Sequence, residues 1–141
     1  LAPGKRTVHT LTPGMLLRDG APWVVHGSMG GEIQPQVFAQ VVSALVDGGV
    51  DVATAVAAPR WSATPPAHLA PPDRTEIEDR YHPAVIAGLR DRGQDPQVIP
   101  AWSSAMGHAH AIEIVRDAAD PDALTFAAAT DPRSEGLPGA C

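Results

Sequence analysis

The run from Pro22 to Gln40 constrains this chain most, because a strand, a glycine turn and a helix follow one another with no room for a linker. Pro22 to His26 is short, apolar and β-branched, which suits a buried strand. Gly27-Ser28-Met29-Gly30-Gly31 is expected to interrupt it, since adjacent glycines mark a tight turn or a close backbone approach. Pro35 stands where a first helical residue would stand. Val37, Phe38, Val41, Val42 and Leu45 then recur at helical spacing, and Gly48-Gly49 closes the helix.

A diglycine between a strand and a helix N-terminus has two readings. It is a turn, or it is a set of backbone N–H donors aimed at negative charge, helped by the helix dipole. Amide-cleaving enzymes hold their tetrahedral oxyanion with such donors. Ser28 does not add a nucleophile, because Gly27-Ser28-Met29-Gly30 lacks the residue that a Gly-x-Ser-x-Gly elbow places between glycine and serine.

Around this run the chain reads as α+β. Met15 to Leu17 is a short strand, joined to the Pro22 strand by an Asp19-Gly20 hairpin. Asp51 is an N-cap candidate for a second helix that Pro59 ends. Arg60-Trp61 begins an extended piece, and Ser62 to Pro72 is a Pro/Ala-rich surface loop, with a polyproline ligand as its functional alternative. Thr75 to Tyr81 is expected to be an edge strand. Pro83 opens a third helix with Val85, Ile86 and Leu89 on one face and Gly93 as its cap. Gln97 to Pro100, His108 to Val115 and Ala123 to Ala129 complete the strands.

Composition removes several function classes. A net charge of −6 without a basic cluster argues against nucleic acid and anionic membranes as partners. No apolar run reaches the roughly 20 residues of a membrane-spanning helix. The single cysteine, Cys141, forms no intrachain disulfide. That fits a reducing compartment and favours the cytoplasm, with the periplasm or secretion left open. Leu1-Ala2-Pro3-Gly4-Lys5-Arg6 shows neither an initiator Met nor a signal-peptide pattern, so the chain is expected to be part of a longer protein.

Five segments in one order resemble a known family: Pro3-Gly4-Lys5-Arg6, His9-Thr10-Leu11-Thr12-Pro13, Gly27-Ser28-Met29-Gly30-Gly31, Ala55-Val56-Ala57-Ala58-Pro59-Arg60-Trp61 and Ala129-Thr130-Asp131-Pro132-Arg133. Together they are similar to the C-terminal part of the small subunit of γ-glutamyltranspeptidases (glutathione hydrolases), over almost the whole of residues 1–141. The resemblance implies part of an N-terminal nucleophile hydrolase, a four-layer αββα sandwich. A precursor would cleave itself into two subunits, and the new N-terminal Thr of the small subunit would be the nucleophile, with its own α-amine as base. No metal or other cofactor is implied. The partners implied are the large subunit, the upstream part of the small subunit, and a small γ-glutamyl or other acyl-amide substrate.

By the same resemblance Gly30 and Gly31 would supply oxyanion-hole amides. A pair of serines followed by Met, which holds the donor's carboxylate in the family, falls on His9, Thr10 and Leu11. Thr10 keeps a hydroxyl, whereas His9 replaces a serine and would bind a carboxylate best when protonated. A donor other than γ-glutamyl is therefore an open alternative, as in related acylases that act on cephalosporin side chains. Thr7, Thr10 and Thr12 are internal and have no free amine, so none replaces the nucleophile. The segment alone is expected to be inactive, and a non-catalytic scaffold or binding module of the same fold is the alternative of a different class.

Three further features complete the reading. His108 and His110 share one side of a strand and with Glu113 could hold Zn²⁺ or Cu²⁺; a pair of partly exposed strand histidines is the plainer reading. Asp131-Pro132-Arg133 is expected to be a salt-bridging turn that pins the last strand. Trp23, Trp61 and Trp102 are expected to be core or interface anchors.

Overall fold

The computed structural model describes residues 2–8, 10–63, 75–117, 119–120 and 123–139. His9, most of the Pro/Ala-rich loop and Cys141 lie outside the described residues. Strands β1 (Gly14–Arg18), β2 (Ala21–Met29), β6 (His108–Arg116) and β7 (Leu124–Thr130) form an antiparallel sheet in the order β1-β2-β6-β7. The β1–β2 hairpin turns as its sequence demands, with Asp19 at φ 52° and Gly20 at φ 79°. Two consecutive left-handed residues match the twist of paired strands.

Helices α1 (Gln34–Val46) and α2 (Val52–Ala57) cover one face of that sheet. Val37, Val41 and Leu45 of α1 and Val52, Ala55 and Val56 of α2 meet Val24, Ala109, Ala111 and Ala129 of the strands. The alanines let α2 sit close to β6 and β7. Each fully buried valine, such as Val24 or Val56, contributes about 1.5–3 kcal/mol. The Asp51 carboxylate accepts the Thr54 amide at 2.9 Å and starts α2. Beyond α1 the Gly48 amide donates to the Ser43 carbonyl at 3.1 Å, and Gly49 takes φ 62°.

A second, three-stranded sheet holds β3 (Trp61–Ser62), β4 (Glu76–Glu78) and β5 (Gln97–Ile99), in the order β3-β4-β5. The expected edge strand is thus the central one. β4 pairs antiparallel with β3 and parallel with β5. Its Glu76-Ile77-Glu78 alternation looks half-solvated, yet Glu78 is fully buried because arginines receive it. Helix α3 (Pro83–Asp91) follows, with Ile86 buried and Val85 exposed on the face expected to be apolar.

Two other expectations change. β2 does not stop at His26: Gly27, Ser28 and Met29 pair with His110, Ala109 and His108, and the ladder outweighs the weak strand preference of one glycine. The turn begins only at Gly30. Of the core and interface alternatives for the tryptophans, the structure removes the core one. Trp23 packs against the core edge and donates to Glu113 at 2.9 Å. Trp61 and Trp102 remain about two-fifths exposed, and Trp102 carries the Arg80 guanidinium over its ring at 3.3 Å.

The sheet face away from α1 and α2 is apolar and open. Met15, Val25, Ile112 and Ala128 form one cross-strand row, with Ile114 and Phe126 beside it. Phe126 is 64% exposed, an unusual state for a large aromatic on a sheet face.

Candidate functional site

The diglycine turn is built by three close backbones. A Cβ on Gly30 would stand 2.8 Å from Ile33 Cγ1 and 3.3 Å from Gly107 Cα. Gly31 lies at φ 58°, the left-handed region that glycine enters without strain. Gly107, just before β6, has φ 69°, and a Cβ there would collide with the Met29 carbonyl oxygen. Gly30 and Gly107 therefore admit no side chain without a shift, and Gly31 favours glycine by its backbone angle alone. Gly31 opens a 3-10 turn, Gly31–Ile33, which runs straight into α1. The first amides of such a turn have no intrahelical acceptor, and no side chain caps them here. They can donate to an anion.

Thr10 reaches this turn through Gln34. The Gln34 side-chain amide donates to the Thr10 carbonyl at 2.9 Å, while its backbone N–H donates to the Gly31 carbonyl. Gln34 is 6% exposed and Thr10 is exposed. Leu11 is 71% exposed. The structure thus brings Thr10 and the Gly30-Gly31 turn into one unit and leaves Leu11 at the surface. Gln34 was not among the residues expected from sequence. The signal was present: positions 34, 37, 41 and 45 form one helical stripe, and Gln34 is the polar member of that buried stripe.

A buried ion network supports the turn from below. Arg60, Glu78, Asp131 and Arg133 are all more than nine-tenths buried. Arg60 pairs with Asp131 at 2.7 Å, Arg133 with Asp131 at 3.1 Å, and Arg133 with Glu78 at 2.5 Å. Arg60 also donates to the carbonyls of Gly107 at 3.0 Å, Met106 at 3.2 Å and Val56 at 2.9 Å. Asp131 accepts the Ala109 amide at 2.7 Å and the Arg133 amide at 2.9 Å. The expected Asp131–Arg133 turn exists and pins the end of β7 to the start of β6. What sequence did not show is its reach: Arg60 carries the charge balance to the carbonyl of Gly107, which packs against Gly30. Burial works against the Asp131 carboxylate, but the Arg133 amide, the Arg60 charge and the Ala109 amide outweigh it and hold its pKa below the ordinary range.

His26 lies under the same region. It is 5% exposed and packs against Phe38 with ring centroids 3.9 Å apart and planes tilted by 50°, in space that Gly14 leaves open. Burial pushes its pKa down, which favours the neutral imidazole. His108 and His110 do not gain Glu113 as a third ligand. Glu113 lies on the opposite face of β6 by strand alternation and receives Trp23.

The sequence pattern of the γ-glutamyltranspeptidase family matches residues 1–141. An oxamate amidohydrolase proenzyme of Klebsiella pneumoniae is 40% identical over 136 residues, which are 96% of this chain and 24% of that protein. A glutathione hydrolase-like proenzyme of Bacillus subtilis is 32% identical over 138 residues, 96% of this chain and 25% of that protein. The crystal structure of a cephalosporin acylase from Bacillus halodurans superposes with a TM-score of 0.77 at 33% identity, covering 97% of this chain and 23% of that one. The chain thus spans about a quarter of the length of the relatives it matches. Its α+β layers are part of the αββα sandwich of N-terminal nucleophile hydrolases, with α1 and α2 as one helical layer.

Proposed function

The chain belongs to the γ-glutamyltranspeptidase family, and on that premise we propose that it is the C-terminal part of the small subunit of an autoprocessed amide hydrolase or acyltransferase. In this reading the nucleophile is the N-terminal Thr of a preceding segment of the same subunit. Its hydroxyl oxygen attacks the donor's amide carbonyl, and its proton passes to the Thr α-amine. The tetrahedral oxyanion is held by the backbone amides of Gly30 and Gly31. The C–N bond then breaks, the amine leaves with that proton, and an acyl-threonine ester remains. Water or an acceptor amine takes the acyl group and restores the hydroxyl. His9, Thr10 and Leu11 form the segment that receives the donor's carboxylate, in company with the large subunit.

The observation that carries this reading is the diglycine turn, where Gly31 at φ 58° opens a helical segment with uncapped amides. The donor is a γ-glutamyl amide or a smaller carboxylated amide. Two features favour the smaller one: His9 stands where the family has a serine, and the 40% relative is named an oxamate amidohydrolase. A cephalosporin-type side-chain amide is the larger alternative, from the acylase at 33% identity.

The test starts from the full reading frame. Intact mass and N-terminal sequencing are followed by assays with γ-glutamyl-p-nitroanilide, oxamate and a cephalosporin amide. Two chains, the smaller beginning with Thr, and release from one donor are the expected result. A single uncleaved chain that releases nothing refutes the enzyme and leaves a scaffold whose Gly30-Gly31 is only a turn.

A further inference from the structure

We infer that Gln34 is a positioning residue that sets the distance between the carboxylate-receiving segment and the oxyanion turn. The inference rests on the proposed function for what those two elements do, and on the structure for how they are joined. Residues 2–8 and 10–11 are exposed. Among the described residues, the bond from Gln34 Nε2 to the Thr10 carbonyl is the one hydrogen bond between residues 2–12 and the rest of the fold. The same residue's backbone amide holds the Gly31 carbonyl. One residue therefore couples Thr10, through its side chain, to Gly31, through its backbone, across the twenty-four sequence positions from Thr10 to Gln34.

The side chain is well placed for this role. Gln34 is 94% buried by its 6% exposure, and its Oε1 has no protein partner in the structure. An unpaired buried carbonyl is costly. A glutamine at this position on the helix's buried stripe stabilises the fold poorly compared with leucine or methionine. Its net contribution is the donor end, which fixes where residue 10 lies. A substrate carboxylate held at Thr10 then has its scissile carbonyl at a set distance from the Gly30 and Gly31 amides.

The test uses the full, processed two-chain enzyme with whichever of γ-glutamyl-p-nitroanilide or oxamate it cleaves. Gln34→Met keeps the volume and removes the donor. The expected result is a KM for the donor raised roughly fivefold to tenfold, the loss of one buried hydrogen bond, with kcat within about twofold. Gln34→Glu supplies a readout that a packing role would not move. Its protonated form donates to the Thr10 carbonyl, whereas its ionised form repels it. Burial raises the carboxyl's pKa, so KM should approach the wild-type value at acid pH and rise above it as pH increases. The wild-type enzyme, measured at each pH, removes the contribution of the histidines, His9 beside Thr10 and His26 on β2. A Gln34→Met enzyme with wild-type KM overturns the inference, and so does a Gln34→Glu KM that ignores pH. If Gln34→Met fails to fold or process, the pH dependence of Gln34→Glu decides alone. If the wild type cleaves no donor, the proposed function falls instead, and trypsin cleavage after Lys5 and Arg6 decides the coupling: a cleavage rate unchanged in Gln34→Met overturns it.

Discussion

Arg60→Met should show how firmly the buried network holds the fold. The guanidinium makes one ion pair at 2.7 Å and three bonds to carbonyls at 2.9–3.2 Å, with 1% of the residue exposed. Removing it leaves the carbonyls of Val56, Met106 and Gly107 without that donor and removes one cation from Asp131. Breaking a buried pair from one side costs about 3–5 kcal/mol. Asp131 keeps Arg133 and two amides, which places the expected cost near the lower end, about 3 kcal/mol. Urea unfolding of the full two-chain enzyme, followed by tryptophan fluorescence, reads this as a lowered midpoint at constant slope. Arg60→Lys should fall between, because a point charge cannot serve Asp131 and all three carbonyls. Arg60→Met with Asp131→Leu should cost less than the two single changes added, since the orphaned charge is gone. A loss under about 1 kcal/mol for Arg60→Met would refute the reasoning, by showing that the pair behaves like a solvated one.

Gly31→Ala should cost about 1–2 kcal/mol of left-handed strain and lower kcat by roughly 10- to 100-fold through a displaced amide; an unchanged kcat would remove Gly31 from the oxyanion site. His26 has a folded pKa depressed below its ordinary 6.5 by burial. Between that depressed value and about 6.5 the unfolded chain binds the proton and the folded one does not, so stability should fall as pH drops through that window. His26→Leu should flatten the urea midpoint between pH 7.5 and 5.5, both taken as roughly one unit either side of the ordinary value; an unaltered slope there would disprove the assignment. Residues 1–141 expressed alone should self-associate through the open face with Val25, Ile112 and Phe126, and Phe126→Lys should weaken that association. A monomer by analytical ultracentrifugation would sink this.

The network also links stability to the site. Arg60 donates to the Gly107 carbonyl, and Gly107 packs within van der Waals reach of Gly30. A change at Arg60 therefore loosens the floor of the diglycine turn while touching no substrate. The expected sign in kinetics is a fall in kcat with little change in KM, the reverse of the Gln34 pattern.

The local elements were legible because each rests on interactions within a few residues. Asp19-Gly20 specified its hairpin, Asp51 its helix start, and the Val37–Val41–Leu45 spacing the buried stripe of α1. The diglycine and the Asp131–Arg133 turn could be read for the same reason. Tertiary structure decided the rest. Sequence could not show that β4 is central, since strand order depends on partners far along the chain, nor that β2 runs on to Met29 because β6 offers a ladder. It could not show that Glu78 is buried, because an isolated carboxylate would not be; only the arrival of the Arg133 guanidinium and the Arg60 backbone amide from two distant segments, beside the neighbouring Arg80, offsets the cost of that burial. Gln34 belongs to the same class, a polar side chain whose place on a buried stripe has meaning only once the fold brings the Thr10 carbonyl to meet it.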